Sequence, residues 1–158
     1  MRPRVYIETT IVSYLVATGS RDVIQSARQE ITRRWWKRRR QFDLYVSRTV
    51  VAEVRRGNPQ AAVRRLDALR GIPRLAAGPR VVALAEAFIR NGTLPTQARV
   101  DGIHVGVAAV NGIEYLLTWN LRHLANAVIR GKIDEAVRKA GLVPPIICTP
   151  EELMEAKA

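Results

Sequence analysis

Three carboxylates in this sequence stand where a carboxylate needs a reason. Glu8 ends the apolar run Val5-Tyr6-Ile7, Glu53 lies inside Val50-Val51-Ala52-Glu53-Val54, and Asp101 opens an almost wholly apolar stretch that runs to Val110. A carboxylate buried among apolar side chains requires a partner or a metal ion. Two of them about 4 Å apart repel by about 4 kcal/mol at an effective dielectric of about 20. Three sharing one pocket would either take up protons or bind a cation. A hard divalent ion answers that demand, because Mg²⁺ prefers oxygen ligands and keeps several waters. Those waters can supply a nucleophile, and the ion can offset charge on a phosphate under attack. The chemistry that these residue types suggest is phosphodiester hydrolysis by metal-activated water.

Positioning those acids is the task of the surrounding elements. Ile103, Val107, Ala108 and Val110 recur at helical spacing, and Asn111-Gly112 stops that helix. Tyr115-Leu116-Leu117-Thr118 has the length and type of a buried strand, and Thr118-Trp119-Asn120 is the polar cluster where it would meet a loop. Helix, tight turn and strand place Asp101 and Asn120 near the same end of one sheet, where α/β proteins keep their sites. Earlier, Arg4 to Ile7 reads as a first strand, with Thr9-Thr10 offering a hydroxyl cap to a following helix. A longer helix follows Gly19-Ser20 and ends in Arg33-Arg34-Trp35-Trp36-Lys37-Arg38-Arg39-Arg40. Leu44 to Val46 reads as the second strand, and Ser47 as the cap of the helix that carries Glu53. Further helices are expected over 60–70, from Pro79 to Ile89, and over 126–140, with an extended piece from Ile72 to Leu75. Thr96 is placed to cap the Asp101 helix, and Ile146-Ile147-Cys148 is the last strand before a helix first turn at Pro150-Glu151-Glu152. Strands alternating with helices predict a three-layer α/β/α sandwich around a mainly parallel sheet, one domain over residues 1–158.

The chain of 158 residues is 47% hydrophobic and 25% charged, as expected of a folded protein with a sizeable core. Its 26 Lys+Arg against 14 Asp+Glu give a formal net charge of +12. A small domain so basic usually meets a polyanion, and nucleic acid is the first candidate, with an acidic protein or an anionic membrane surface as alternatives. Most acids should then be surface partners of arginine, and Asp22, Glu30, Asp67, Asp134, Glu135 and Glu155 read that way. The lone Cys148 excludes an internal disulfide and reads as a small buried hydrophobe. No apolar run is long enough for a membrane span, and Glu8 interrupts the only early apolar stretch, so a cytoplasmic location is expected.

Arg38, Arg39 and Arg40 could contact phosphates beside a stacking tryptophan. Equally, they could form a solvated helix end with Trp35 in the core. Two adjacent tryptophans cannot both face one core, so one is expected at the surface. His104, one turn after Asp101, invites a general-base role, although an imidazole in an apolar helix is more often a structural hydrogen-bonder. Of the residues after Asn120, Arg122 is the better candidate for a phosphate contact and His123 sits on the rim.

The segments Val5 to Thr10, Val50 to Val54, Val100-Asp101-Gly102-Ile103-His104 and Leu117 to Asn120, in this order and spacing, resemble the PIN-domain nucleases, in particular the VapC-type toxins of toxin–antitoxin pairs. The resemblance spans nearly the whole chain. It implies a sandwich with a parallel sheet, and an acidic cluster that binds Mg²⁺ or Mn²⁺ for RNA cleavage. By position, Glu8, Glu53 and Asp101 fall on three acidic places of the family and Asn120 on the fourth, with Thr10 and Thr118 on hydroxyl positions beside them. Glu8 stands where the family usually has aspartate, and Asn120 replaces a carboxylate with an amide, which implies weaker metal binding. The resemblance also implies RNA as substrate, a cognate antitoxin and a homodimer. Two functions follow: a metal-dependent endoribonuclease toxin, or an RNA-binding or regulatory module that keeps the fold with a weakened site.

Overall fold

A computed structural model describes residues 1–155 of the chain, and the side chain of Glu155 lies outside the described residues. The chain alternates strands and helices: β1 Arg4–Ile7, α1 Thr9–Val16, α2 Val23–Lys37, β2 Asp43–Ser47, α3 Arg48–Val54, α4 Pro59–Ala68, β3 Arg74–Leu75, α5 Pro79–Arg90, α6 Arg99–Val110, β4 Tyr115–Leu117, α7 Ala127–Lys139, β5 Ile146–Cys148 and α8 Pro150–Glu155. The five strands form one sheet in the order β3-β2-β1-β4-β5, and every pairing is parallel. The mainly parallel sheet expected from the sequence is therefore wholly parallel among the described residues.

β1 is the centre. Val5 pairs with both Leu44 of β2 and Tyr115 of β4, and Val5, Tyr6 and Ile7 are completely buried. A strand covered on both faces has no reason to alternate apolar with polar residues, and it does not. From β1 the chain moves outward to β2 and β3, then returns past β1 to β4 and β5. The sheet therefore has its topological switch point between β1 and β4, and ligands of parallel sheets bind in the crevice beyond the strand ends at such a point. α1 packs on α2, α3 and α4, while α5 packs on α6 and α7. These groups make the outer layers.

Local chemistry explains most boundaries. Asn58 caps α4 ahead of Pro59, Asn126 caps α7, and Gly112, at φ +63°, takes the left-handed turn after α6. Ser47 caps α3 as expected, its hydroxyl accepting from the Val50 amide. Two expected caps are corrected. The cap of α1 is the Glu8 carboxylate and not a hydroxyl of Thr9-Thr10, which lie inside the helix. Thr96 belongs to a short 3-10 turn over Thr96–Ala98, and α6 starts after Ala98 with no side-chain cap. Among the surface acids, Glu30, Asp67 and Glu135 pair with Arg34, Arg70 and Lys139, whereas Asp22 caps α2. Trp35 is fully buried and Trp36 half-buried, so the tandem tryptophans divide between core and surface. Cys148 is buried, and burial pushes its thiol up to about 12, which makes it a packing residue.

α6 is apolar nearly all round, with His104, Val105, Gly106, Val107, Ala108 and Ala109 all buried. It lies so close to α5 that a Cβ on Gly106 would come 3.0 Å from Val81 Cγ1 and 3.1 Å from the Val81 carbonyl oxygen. Gly106→Ala should therefore cost about 1–2 kcal/mol, overpacking against backbone outweighing the gain in helix propensity. Gly131→Ala on the open face of α7, where a Cβ would meet nothing within 4 Å, should instead stabilise by up to about 1 kcal/mol. Urea denaturation of the two variants checks both signs.

Candidate active site

The carboxyl ends of β1, β2 and β4 and the first turn of α6 meet at the switch point, and each delivers part of one polar cluster. β1 ends in Glu8, whose Oε2 accepts from the Thr10 amide at 3.0 Å, from the Thr10 hydroxyl, and from the Thr118 hydroxyl at 2.8 Å. The two threonines are fully used. Thr10 Oγ1 also accepts from the Trp119 amide at 2.8 Å, and Thr118 Oγ1 from the Asn120 amide at 2.9 Å. Those bonds fasten the end of β4 to the start of α1 across the crevice.

α3 carries Glu53, whose Oε1 accepts from Thr9 Oγ1 and from His104 Nε2, both at 2.7 Å. Across the ring, His104 Nδ1 is 2.7 Å from the Tyr6 hydroxyl, which is 2.7 Å from Ser47 Oγ. Ser47 in turn caps the helix that bears Glu53. The result is a continuous chain, Ser47–Tyr6–His104–Glu53–Thr9, whose first three members have no solvent exposure. It joins the strands that end in Glu8 and Ser47 to α6, one turn beyond Asp101. Buried polar groups are tolerated when each has a partner, and here each does.

Asp101 is held from the other side. Asn120 Nδ2 donates to its Oδ1 at 3.0 Å, His123 Nδ1 lies 3.1 Å from its Oδ2, and the Asn120 side-chain oxygen accepts from the His123 amide at 3.0 Å. Asn120 thus orients the Asp101 carboxylate and the following loop together. Arg122, next in that loop, is exposed.

The electrostatics follow from burial and neighbours. Burial pushes the Glu8 carboxyl above its ordinary range despite the His104 charge and the three hydrogen bonds. Burial likewise raises Asp101, against the opposing pull of His104, His123 and Asn120. For Glu53 burial acts upward too, but the hydrogen bond and charge of His104 outweigh it and hold the carboxyl low. His104 is pushed down by burial, yet its bond to Glu53 and the charges of Glu8, Glu53 and Asp101 bring it above the ordinary imidazole value. The three carboxylates around His104 thus favour the proton on its ring, as a cation would be favoured among them.

These shifts fix how stability depends on pH. In the folded chain Glu8, Asp101 and His104 all keep their protons to higher pH than in the unfolded chain, whose ordinary values are 4.5, 3.8 and 6.5. The folded state therefore binds more protons, and stability falls as pH rises through the intervals above those values. Glu53 has the opposite sign, and its contribution is lost only as pH falls below 4.5 and through its lowered value. With divalent ions chelated, the melting temperature should decline as pH rises above the ordinary values of Glu8, 4.5, and His104, 6.5. Glu8→Gln, which removes one of the three groups, should make that decline shallower in a thermal melt series.

As donors, the cluster suits a hard divalent cation in kind: carboxylates, hydroxyls and an amide are oxygen ligands. Glu8 Oε1 and Glu53 Oε2 accept no hydrogen bond among the described residues, so each carboxylate keeps an oxygen free. In position, no three His, Cys, Asp or Glu side chains among the described residues stand close enough to hold one ion together. The side chains are arranged by protein donors.

The structure brings Glu8, Glu53, Asp101, Asn120, Thr10 and Thr118 into one cluster, with Arg122 beside it. It does not bring Arg38, Arg39 and Arg40 there. They precede β2, at the starting ends of the strands, whereas the cluster lies at the finishing ends. Sequence reasoning missed Tyr6 as a member of the cluster, Thr9 and Ser47 beyond their capping roles, and the contact of His123, placed only on the rim, with Asp101. The available signal was His104 itself, a polar residue in a buried helix that had to find two partners.

Comparison with known proteins bears on the fold. Neither a protein-family model nor a curated protein matches the sequence. Among solved structures, the crystal structure of Mycobacterium tuberculosis VapC20, described as a sarcin-ricin loop cleaving toxin, superposes with a TM-score of 0.58 at 19% sequence identity. The match covers 88% of this chain and 96% of that one. With its parallel sheet flanked by helices, the chain has the PIN-like fold of VapC20.

Proposed function

We propose that the protein is a divalent-cation-dependent endoribonuclease. The observation that carries the reading is the gathering of Glu8, Glu53 and Asp101, from elements far apart in sequence, at the switch-point crevice of a PIN-like sheet. The similarity to a toxin named for cleaving the sarcin-ricin loop supports RNA as the substrate class.

In this reading Glu8, Glu53 and Asp101 would hold the cation between them, directly or through its waters, with Glu8 and Glu53 offering their free oxygens. The cation, when bound, supplies an activated water and offsets charge on the scissile phosphate. The chain's own residues prepare the site. His104 and Thr9 fix the Glu53 carboxylate, Thr10 and Thr118 fix Glu8, and Asn120 with His123 fixes Asp101. Arg122, exposed on the rim, meets the phosphate backbone. The protein acts in the cytoplasm as the toxin of a toxin–antitoxin pair, as a homodimer restrained by a cognate antitoxin. No helix among the described residues is long and apolar enough to cross a membrane.

One observation favours the second reading, an RNA-binding or regulatory module: protein donors already engage every carboxylate, and no three acids or imidazoles stand within reach of one ion among the described residues. Incubating an end-labelled RNA pool at low salt with Mg²⁺, Mn²⁺ or EDTA separates the two. The nuclease reading expects cleavage with either metal and none in EDTA. Salt-sensitive binding without cleavage under any condition would establish the module instead.

A further inference from the structure

At the end of the sheet opposite the acidic cluster, the segments leading into β2 and β3 enclose an open cavity of about 550 Å³. That is within the range of small-ligand sites. Its walls combine three aromatic rings, Trp36, Phe42 and Tyr45, with the guanidinium groups of Arg39, Arg40 and Arg70. Two acids, Asp43 and Asp67, also line it, and both are already engaged: Asp43 with Arg2 at 3.4 Å, and Asp67 with Arg70 at 2.7 Å. Arg39 and Arg40 have no carboxylate partner among the described residues.

The aromatic wall is braced by packing. Trp36 is backed by the buried Trp35, ring centroids 6.3 Å apart, and Trp35 stacks on Phe42 at 5.7 Å. Arg39 lies over the Trp36 ring at 4.8 Å from its centroid, and its guanidinium donates to the Trp36 carbonyl at 2.9 Å. Outside the lining, Arg4 lies over Tyr45 at 4.9 Å. The Trp36 face thus carries a delocalised cation held in place before any ligand arrives. A planar, electron-rich base can stack on such a wall while the Arg39 and Arg40 guanidinium groups, which no carboxylate neutralises among the described residues, meet its phosphate. A helical duplex offers no free base face to this wall, whereas a single strand does.

We infer that this cavity is a binding site for a nucleotide of single-stranded RNA, separate from the acidic cluster. The two sites are divided by the length of β2, five residues, or roughly 15 Å. A dinucleotide seated in one cannot occupy the other, so the cavity adds affinity only for longer strands. The inference stands apart from the nuclease reading, because binding here requires neither a cation nor cleavage.

The test is fluorescence anisotropy of a labelled single-stranded RNA of about ten nucleotides with the full chain in EDTA, over a salt series. Arg39→Glu/Arg40→Glu should raise Kd at least tenfold. It should also make the salt dependence of log Kd shallower by about 1.4, two phosphate contacts at roughly 0.7 each. Should the double variant fold poorly by circular dichroism, Arg40→Glu alone serves, since Arg40 is exposed and only its backbone carbonyl is hydrogen-bonded. It should lower the slope by about 0.7. Arg64→Glu/Arg138→Glu makes the same charge change at exposed positions outside the cavity and should change Kd less than threefold. An equal loss in that control would reduce the binding to net charge and overturn the site. Unchanged affinity in the cavity variants would overturn it too. If those variants instead lost binding to an acidic peptide, the cavity would belong to a protein partner.

Discussion

His104→Leu should destabilise the protein by about 3–5 kcal/mol. The substitution keeps the volume of the side chain roughly constant, so cavity formation contributes little. What it removes is the donor to Glu53 Oε1 and the partner of the Tyr6 hydroxyl, both at 2.7 Å. Glu53 then stands as a half-buried carboxylate with Thr9 alone and the buried Tyr6 hydroxyl loses one of its two partners, and each such loss costs about 1–3 kcal/mol. For a chain of this length the melting temperature should fall by roughly 10 °C or more. Tyr6→Phe removes only a hydroxyl that also contacts Ser47, and should cost about 1–2 kcal/mol. Because both residues lie on one hydrogen-bonded chain, the double variant should cost less than the sum of the singles. Chemical denaturation of the three variants measures all of this, and additivity would show that the chain is not a unit.

Asp101→Asn separates the site from the scaffold. Its carboxyl is pushed upward mainly by burial, so the folded protein tolerates the charge at some cost. An asparagine can keep both bonds, its oxygen accepting from Asn120 and its amide nitrogen facing His123 Nδ1 in the neutral imidazole. The melting temperature of the metal-free protein should therefore be unchanged or higher. Cleavage should fall by at least about 100-fold, the scale on which a positioned acid–base or charge-stabilising group contributes. Loss of folding in this variant would make Asp101 a structural residue. A stable protein with undiminished cleavage would place the chemistry elsewhere.

How much of this was legible beforehand depended on whether the signal was local. β1, β4 and β5 could be read because buried parallel strands are short apolar runs, and Asp101 could be singled out because it is the one carboxylate on a buried helix. Its meeting with Asn120 followed from a helix, a tight turn and a strand in succession. The cap of α1 was misplaced because glutamate is an unusual capping residue. Its longer side chain must fold back to reach the Thr10 amide, and only its fixed place between Thr10 and Thr118 makes that worthwhile. His104 carried an ambiguous signal, since its partners, Tyr6 and Glu53, lie 98 and 51 residues away in sequence. The destination of Arg38 to Arg40 was also beyond local pattern. Whether a basic helix end lies above or below a sheet is decided by which strand follows it.

The strand order has a consequence for how the molecule could be taken apart. Everything that β1, β2 and α3 bring to the crevice lies before β3, and everything that α6 and β4 bring lies after it. The exposed Ala76 and Ala77, between β3 and α5, mark the divide. A break there leaves one piece with Tyr6, Glu8, Ser47 and Glu53, and another with Asp101, His104, Thr118 and Asn120. Neither piece contains a whole site, and the bonds from His104 to Glu53 and from Thr118 to Glu8 exist only once the two are joined. Function in a chain divided there would therefore report the reunion of its halves.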